Sequence, residues 1–336
     1  MSTTPTAPER EMAGPDLETI RAAHRRIASH IHRTPVMTSA SLDAIARTRL
    51  YFKCENLQKT GSFKIRGATN AIFSLSEEEA ARGVVTHSSG NHAAAVALAA
   101  RHRGTRAWIV MPSNAPVAKC KAVESYGGAI TYCEPNLAAR EATAAEIIRR
   151  TGAVLVHPYN DDRIIAGQAT AAMELLEDVP DLDFILAPVS GGGLLSGSAI
   201  AAKSLRAAIR VIGCEPKNAD DAFRSLAAGR IETRSLPSKS AGALDQPDTI
   251  ADGLRASLCE RTFAILQRHV ERIALVTEEE IIAAMRQVWE RMKLVIEPSA
   301  AVAVAPVLGR QLDAESKKVG IILSGGNVDL TAPPFK

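Results

Sequence analysis

The feature that most constrains the fold is a regular alternation of short apolar runs with helical patterns from residue 83 onwards. The runs AWIVMP at 107, DFILAPV at 183 and KVGIILS at 318 are apolar almost throughout, not at every second position. Such strands are typical of parallel sheets that are covered on both faces, and their alternation with helices indicates βαβ units. The sequence therefore predicts an α/β protein with mainly parallel sheets.

The same pattern predicts how the chain is divided. Residues 83–160 form a self-contained run of strand–helix pairs, which predicts a small domain inserted into a larger one made of residues 15–82 and 161–336. Residues 1–14 are polar and rich in proline, and we expect them to be disordered. They lack the apolar core of a signal peptide.

Composition limits the class of partner. The chain has 336 residues with 40 basic and 37 acidic side chains, and this balance gives no sign of nucleic acid as the main partner. The most basic stretch, residues 21–35, has apolar residues at helical spacing and is interpreted as an amphipathic helix. Five cysteines without C-x-x-C spacing favour the cytoplasm over a disulfide framework. No apolar run is long enough to span a membrane.

Three glycine-containing loops follow predicted strands: HSSGNH at 87–92, VSGGGLLSG at 189–197 and LSGGN at 323–327. In α/β sheets, ligands bind at the carboxyl ends of strands. Three consecutive glycines in the second loop expose backbone N–H groups where a helix begins, which suits a phosphate; a flexible turn or tight packing is the alternative. The first loop suits a carboxylate, or its serines and asparagine cap the helix.

Lys64 lies in QKTGSFKIRG, after a Gly-Ser-Phe turn and before Ile65. Most lysines are surface charges, but this one could also pair with a carboxylate, hold a phosphate or bond covalently to a carbonyl. The phosphate cradle is more than a hundred residues away, and no partner carboxylate is identified, so we favour the covalent role. The apolar neighbours predict a lowered pKa for the amine of Lys64. Together, the motifs indicate a phosphate-bearing aldehyde held by lysine.

The ordered motifs SFKIRGA, HSSGNH, SGGGLLSG and LSGGN resemble fold-type II enzymes that use pyridoxal 5'-phosphate (PLP). The resemblance covers roughly residues 17–332 and is strongest to serine racemases and serine/threonine dehydratases, including 3-hydroxyaspartate dehydratases. It implies two three-layer α/β/α domains with mainly parallel sheets, similar to the tryptophan synthase β chain. It also implies a homodimer that acts on a small amino-acid substrate.

The resemblance further implies a role for each motif residue. Lys64 would form the Schiff base with PLP and act as the base at the substrate Cα, and Ser89 would donate a proton on the opposite face. The other cofactor contacts would be Phe63, Asn91, Ser190, Gly191, Gly192, Gly193, Leu194 and Ser324. The substrate contacts would be Ser88, Ser89, Gly90, Asn91, His92 and Arg140. Taken alone, Arg140 is a surface helix residue.

A divalent-metal site is implied by the stretch EPKNADDAF at 215–223. Glu215, the carbonyl of Ala219 and Asp221 match oxygen ligands that suit Mg²⁺, Ca²⁺ or Mn²⁺. The alternative is an acidic helix start, which the helix dipole favours. The chain departs from the family in two places: residues 93–95 are alanines where relatives often carry a glutamine, and Ser190 replaces the first glycine of a four-glycine loop.

The main reaction that the resemblance implies is removal of water from threonine or serine, which gives a 2-oxo acid and ammonia. Racemisation of serine, or dehydration of 3-hydroxyaspartate, is the alternative. Ser324 favours elimination because a hydroxyl does not hold a proton on the ring nitrogen of PLP as an aspartate does. Ser89 permits racemisation without requiring it. A β-replacement enzyme and a non-catalytic binding protein are disfavoured, the latter because binding alone does not need Lys64.

Overall fold

The computed structural model describes residues 14–232 and 247–335, so the predicted disorder of residues 1–14 falls almost wholly outside the described part. The strands are β1 Val36–Met37, β2 Arg49–Cys54, β3 Val84–His87, β4 Ala107–Pro112, β5 Ala129–Cys133, β6 Val154–Leu155, β7 Phe184–Pro188, β8 Arg210–Pro216, β9 Arg272–Val276 and β10 Lys318–Leu323. The helices up to the middle of the chain are α1 Leu17–Ile27, α2 Ala40–Ala46, α3 Lys64–Phe73, α4 Glu77–Ala81, α5 Asn91–Arg103, α6 Val117–Ser125, α7 Leu137–Thr151 and α8 Asp162–Asp178. The later helices are α9 Gly193–Leu205, α10 Asp221–Ala228, α11 Glu260–His269, α12 Glu278–Met292, α13 Pro298–Ala301 and α14 Ala305–Leu308.

The larger sheet has six strands in the order β1-β2-β10-β7-β8-β9. Only β1 is antiparallel to its neighbour, and the other pairs are parallel. Helices cover both faces. Phe52, Leu186 and Ile321 pack towards α2 and α12, whereas Ile185 and Ile322 pack towards α1, α8 and α9. The predicted α/β class with mainly parallel sheets is therefore confirmed, and burial on both faces explains the uninterrupted apolar runs.

The smaller sheet is wholly parallel and has the order β5-β4-β3-β6. Helices α5 and α6 cover one face together with α3, and α7 covers the other through Ala144 and Ile147. All four strands come from between residues 84 and 155. This arrangement supports the proposed small domain of residues 83–160. Within the described ranges, no helix has the length and apolar character needed for a membrane crossing.

Two elements differ from the sequence predictions. The strand predicted from VLVHPY at 154 ends at Leu155, because the ring nitrogen Nδ1 of His157 accepts the backbone N–H groups of Tyr159 and Asn160 and turns the chain. The basic helix predicted from residues 21–35 ends at Ile27. In addition, β2 was not predicted, since its sequence RLYFKC interrupts the apolar pattern with charged residues.

The unpredicted strand β2 is central to the site. It pairs in parallel with β10 over six residues, from Arg49 opposite Lys318 to Cys54 opposite Leu323. The carboxyl ends of these two strands therefore lie side by side. As a result, the segment after β2, which carries Lys64, lies beside the LSGGN loop that follows β10.

Candidate active site

The turn before Lys64 is tied to the LSGGN loop by backbone contacts. Phe63 N donates to the carbonyl oxygen of Ser324 at 3.0 Å, and Ser62 forms a β-bridge with Gly325. Thr60 and Gly61 have φ values of 62° and 71°, a left-handed conformation that is strained for threonine and easy for glycine. A Cβ at Gly61 would overlap the side chain of Asn327. These contacts fix where α3, and hence Lys64, begins.

Among the residues that the structure describes, the amine of Lys64 is held without an ion pair. Its Nζ atom donates to the carbonyl oxygen of Pro158 at 3.0 Å and lies 5.1 Å from the ring centroid of Phe63. No carboxylate in the described ranges lies within ion-pair distance of it. Burial lowers the pKa of Lys64 to about 8, and the more distant charge of Glu297 opposes this shift. The predicted lowering of this pKa is confirmed.

The HSSGNH loop joins β3 to α5 without a capping side chain. Gly90 is the N-cap residue, and no side chain accepts a hydrogen bond from the first turn of α5. Ser88 Oγ instead accepts the N–H of Gly90 at 3.3 Å within the loop. The alternative that serine and asparagine cap this helix is therefore wrong. The backbone at this helix start suits a carboxylate.

Asn91 is fixed by two residues that the sequence analysis missed. Its Nδ2 atom lies 2.9 and 3.1 Å from the two carboxyl oxygens of Glu297, and its Oδ1 atom accepts from Asn327 Nδ2 at 2.9 Å. Glu297 is buried, which raises its pKa to about 7. It precedes Pro298 at the start of α13, so its sequence context indicates only a helix start. The orientation of the Asn91 amide is set by this network.

His92 is only 2% exposed, and its Nε2 atom lies 3.0 Å from the carbonyl oxygen of Val156. Its Nδ1 atom is buried without a hydrogen-bond partner in the described residues. Burial, followed by the nearby Lys64 cation, lowers the pKa of His92 to about 3. The imidazole is therefore neutral near pH 7. For the predicted contact with a substrate carboxylate, His92 can offer its backbone N–H but not a positive charge.

The glycine-rich loop between β7 and α9 has no room for side chains at its three glycines. A Cβ at Gly191 would overlap the ring of Tyr159, and one at Gly193 would lie 2.9 Å from Tyr159 Cβ. Gly192 has a φ of 90° and is the N-cap of α9, which has no capping side chain. The adjoining Leu194 is buried in the first turn of that helix. Bare backbone at a helix N-terminus is the arrangement that a phosphate requires.

These parts together fit PLP. Residues 190–194 form the loop that would bind the cofactor phosphate, here named the phosphate loop. Ser324 directly follows β10 and is buried, at the place where a cofactor ring beside Lys64 would lie. The half-buried ring of Phe63 adjoins the same amine. Every predicted cofactor residue thus lies in a loop or first helical turn that follows β2, β3, β7 or β10, at the carboxyl ends of strands where an α/β sheet binds its ligand.

A cavity of about 160 Å³ adjoins the HSSGNH loop. It is lined by the following residues: Ser89, Pro112, Asn114, Ala115, Pro116, Pro135, Arg140 and Arg255. Arg140 lies in the first turn of α7, where the helix dipole disfavours a cation, and its buried Nε atom has no hydrogen-bond partner in the described residues. Among the described residues, the lining includes no carboxylate and contains the guanidinium groups of Arg140 and Arg255, which suits an anion.

The predicted metal ligands lie together at the end of β8 and the start of α10. Glu215, Ala219 and Asp221 are all buried. The carboxyl oxygens of Glu215 accept the N–H groups of Ala222 at 3.1 Å and Phe223 at 3.0 Å, so this acid also stabilises the helix start. Two buried carboxylates and a carbonyl are oxygen donors of the kind that Mg²⁺ and Ca²⁺ prefer.

The matching family model is the pyridoxal-phosphate-dependent enzyme family, over residues 27–325, and the chain belongs to that family. Serine racemase of Dictyostelium discoideum is 49% identical over 96% of this chain and 97% of its own length. The beta-hydroxyaspartate dehydratase of Paracoccus denitrificans is 46% identical over 96% and 99%, respectively. The structure of maize serine racemase superimposes with a TM-score of 0.90 at 49% identity and covers 95% of each chain. The predicted family and fold type are confirmed.

Proposed function

We propose that this PLP-dependent enzyme is an amino-acid racemase of the serine racemase type, which also eliminates water from β-hydroxy amino acids. The observation that carries the proposal is the half-buried amine of Lys64, with a pKa of about 8 and no carboxylate partner in the described residues. The serine racemases among the relatives favour racemisation as the main reaction. Elimination, which the motif resemblance implies as the main reaction, is therefore proposed as the second activity.

The protein groups divide the work at the substrate Cα. PLP, when bound, supplies a conjugated ring that withdraws electrons from Cα. The neutral amine of Lys64 would take the Cα proton, and the fraction of neutral amine increases as the pH rises through 8. The hydroxyl of Ser89 would return a proton to the opposite face and so invert the configuration. If Cβ carries a hydroxyl, its departure as water leads to a 2-oxo acid and ammonia.

Other residues would hold and orient the reactants. The backbone N–H groups of residues 190–194 would bind the cofactor phosphate. Asn91, oriented by Glu297 and Asn327, would donate a hydrogen bond to the cofactor, and Ser324 would face its ring nitrogen. The backbone of residues 88–92 would bind the substrate carboxylate.

A dehydratase of 3-hydroxyaspartate is the second candidate, favoured by the two guanidinium groups of Arg140 and Arg255 in the cavity beside Ser89. A carboxylate on the substrate side chain would bind there. The relative from Paracoccus denitrificans that is named for this activity supports the idea. We expect Arg140→Gln to lower kcat/KM for 3-hydroxyaspartate at least about tenfold more than kcat/KM for serine, because a charged hydrogen bond of roughly 1.5–3 kcal/mol is lost only with the acidic substrate.

A divalent cation, Mg²⁺ first and Ca²⁺ or Mn²⁺ as alternatives, would bind Glu215, the carbonyl of Ala219 and Asp221. The burial of all three residues supports this site. It would act on the structure of the large domain, since these ligands lie at the end of β8 and the start of α10.

The experiment that tests the function uses L- and D-serine, L-threonine and the 3-hydroxyaspartates, in heavy water, with and without Mg²⁺. Enantiomer, Cα deuterium and 2-oxo acid are measured in the same samples. We expect D-serine with deuterium at Cα from L-serine, together with slower release of pyruvate. Ser89→Ala should lose racemisation but keep elimination. If wild-type protein gave pyruvate without any D-serine, the racemase assignment would be wrong.

Two further predictions rest on the resemblance and on composition. A homodimer is proposed, and light scattering should give twice the 35.7 kDa mass of one chain. A cytoplasmic location is proposed from the cysteine content, and the five cysteines have free thiols in the structure.

A further inference from the structure

Ser190 stands where a fourth glycine would complete the phosphate loop, and its hydroxyl is engaged outside that loop. Ser190 Oγ donates to the carbonyl oxygen of Ala256 and accepts the N–H of the same residue, both at 3.0 Å. This two-way pairing joins the phosphate loop to residues 256–262, here named the clamp segment. A glycine at position 190 has no group that could make either bond.

The clamp segment contacts the phosphate loop a second time at Gly192. A Cβ on Gly192 would lie 2.7 Å from Thr262 Cβ and 3.0 Å from Leu258 Cδ2, so both side chains pack directly on the bare backbone of Gly192. Leu258 and Thr262 are buried, which leaves them little freedom to move independently of the loop. The position of the phosphate loop therefore depends on the position of the clamp segment.

The clamp segment also contacts the proposed cation site, through Asp221. The backbone N–H of Leu258 donates to Asp221 Oδ2 at 3.0 Å in a buried hydrogen bond. Asp221 is a proposed cation ligand together with Glu215, whose oxygens bind the first turn of α10. A cation that fixes the Asp221 carboxylate thereby fixes Leu258, which lies two residues after Ala256.

We propose that Ser190 is a positioning residue that couples the cation site at Glu215 and Asp221 to the PLP phosphate loop through the clamp segment. The inference rests on the proposed PLP and cation binding. Coupling of two bound ligands is reciprocal in binding free energy, so a cation that increases the affinity for PLP must also bind more tightly when PLP is present. The bond between Ser190 and Ala256 is the part of this path that is specific to this chain's serine.

The test measures the rate at which the holoenzyme loses PLP to a trapping reagent, in Mg²⁺ and in EDTA. In wild-type protein we expect Mg²⁺ to slow this loss by about fivefold or more, the usual lower range for coupled sites. Ser190→Ala should reduce the Mg²⁺ effect to less than about twofold, and Ser190→Thr, which keeps a hydroxyl, should restore most of it. Ser204→Ala is the matched control, because Ser204 is exposed on α9.

Phosphorus NMR of the bound cofactor gives a second measurement that does not depend on activity. Mg²⁺ should shift the phosphate resonance in wild-type protein and much less in Ser190→Ala or in Ser190→Gly, the second variant. The proposal is overturned if Ser190→Ala keeps the whole Mg²⁺ effect, or if wild-type protein shows none. Wild-type protein that binds PLP and acts on amino acids without a Mg²⁺ effect would contradict the coupling alone. Protein that never binds PLP would contradict the proposed function.

Discussion

Lys64 and Arg66 are two cations in the first turn of α3, and the protein treats them in opposite ways. Arg66 is fully buried, and its guanidinium binds Glu55 at 2.7 and 2.8 Å and Glu174 at 2.9 and 2.8 Å. These carboxylates raise its pKa against the effect of burial. Within the described part of the chain, Lys64 has only a carbonyl as its hydrogen-bond partner, and its pKa is lowered. Its carboxylate partners keep Arg66 charged and fixed in position. Lys64, without such a partner in the described residues, can lose its proton and react.

The network around Arg66 explains how both situations coexist on one helix. Lys53 Nζ donates to Glu174 Oε2 at 2.6 Å, and Thr34 Oγ1 donates to Glu55 at 2.5 Å, so two buried cations face two buried carboxylates. Removing these ions from water costs free energy, and this cost is offset because each charge is paired and hydrogen-bonded. The network joins β2, α3 and α8, and this fixes the backbone from which the unpaired Lys64 extends.

Lys64→Met tests the reactive half of the comparison and should have the largest effect. We expect racemisation and elimination to fall at least about a thousandfold, because proton transfer at Cα is lost. Since burial disfavours charged Lys64 in the folded state, this variant should be at least as stable as wild type below pH 8 when both are compared as cofactor-free protein. That difference should diminish as the pH rises from 8 towards 10.5, where the amine of both states loses its proton. Steady-state rates and thermal unfolding across this pH range check both expectations.

Arg66→Met tests whether the buried ion pairs of Arg66 stabilise the fold. It introduces methionine, as Lys64→Met does. The two buried carboxylates of Glu55 and Glu174 would then lose the guanidinium that binds both, and we expect the free energy of unfolding to fall by about 3–5 kcal/mol. Urea unfolding measures this loss. Arg33→Met is the control, because Arg33 pairs with Glu177 and Asp178 at the surface and should contribute about 1 kcal/mol or less. Equal destabilisation by the two arginine variants would remove the distinction drawn here.

Gly191→Ala tests whether the phosphate loop needs a residue without a side chain at position 191 in order to bind PLP. The new Cβ would overlap the ring of Tyr159, so we expect the loop to shift and the affinity for PLP to fall by about tenfold, equivalent to 1.4 kcal/mol. Fluorescence titration with PLP measures the affinity. Combining Gly191→Ala with Tyr159→Leu should recover part of the loss, because the smaller side chain makes room for the Cβ. No recovery in the double variant would mean that the overlap with Tyr159 is not the cause.

Of these variants, Glu297→Gln should have the smallest effect, which is a lowering of the pKa of Lys64. Glu297 raises that pKa electrostatically, so its neutral replacement should lower the midpoint below about 8. Glu297 itself has a pKa of about 7, and its charge therefore acts only above that pH. The rate at which cofactor-free protein captures PLP, followed against pH, reports the midpoint. The exposed Glu290 provides the control Glu290→Gln, and a midpoint that stays fixed or rises in Glu297→Gln would contradict this account.

The sequence predicts those parts of the fold and site that depend on short-range patterns. Apolar runs such as FILAP in β7 indicate parallel strands, and consecutive glycines indicate a loop that binds a phosphate through its backbone. Strand β2 was missed because Lys53 interrupts its apolar pattern, and its partner Glu174 lies 121 residues further along the chain. Glu297 was missed for the same reason, since it lies 206 residues from Asn91 in the sequence. Pairings across such distances leave no local signal.

The most direct test of the central claim is where the cofactor is attached. Holoenzyme is reduced with borohydride and digested, and the modified lysine is located by mass spectrometry. The account predicts that PLP is fixed to Lys64, in the peptide containing GSFKIRG, and that neither Lys53 nor Lys59 is modified. Attachment to another lysine, or the absence of any reduced adduct in protein that retains PLP, would contradict the claim that the unpaired amine of Lys64 is the reactive one.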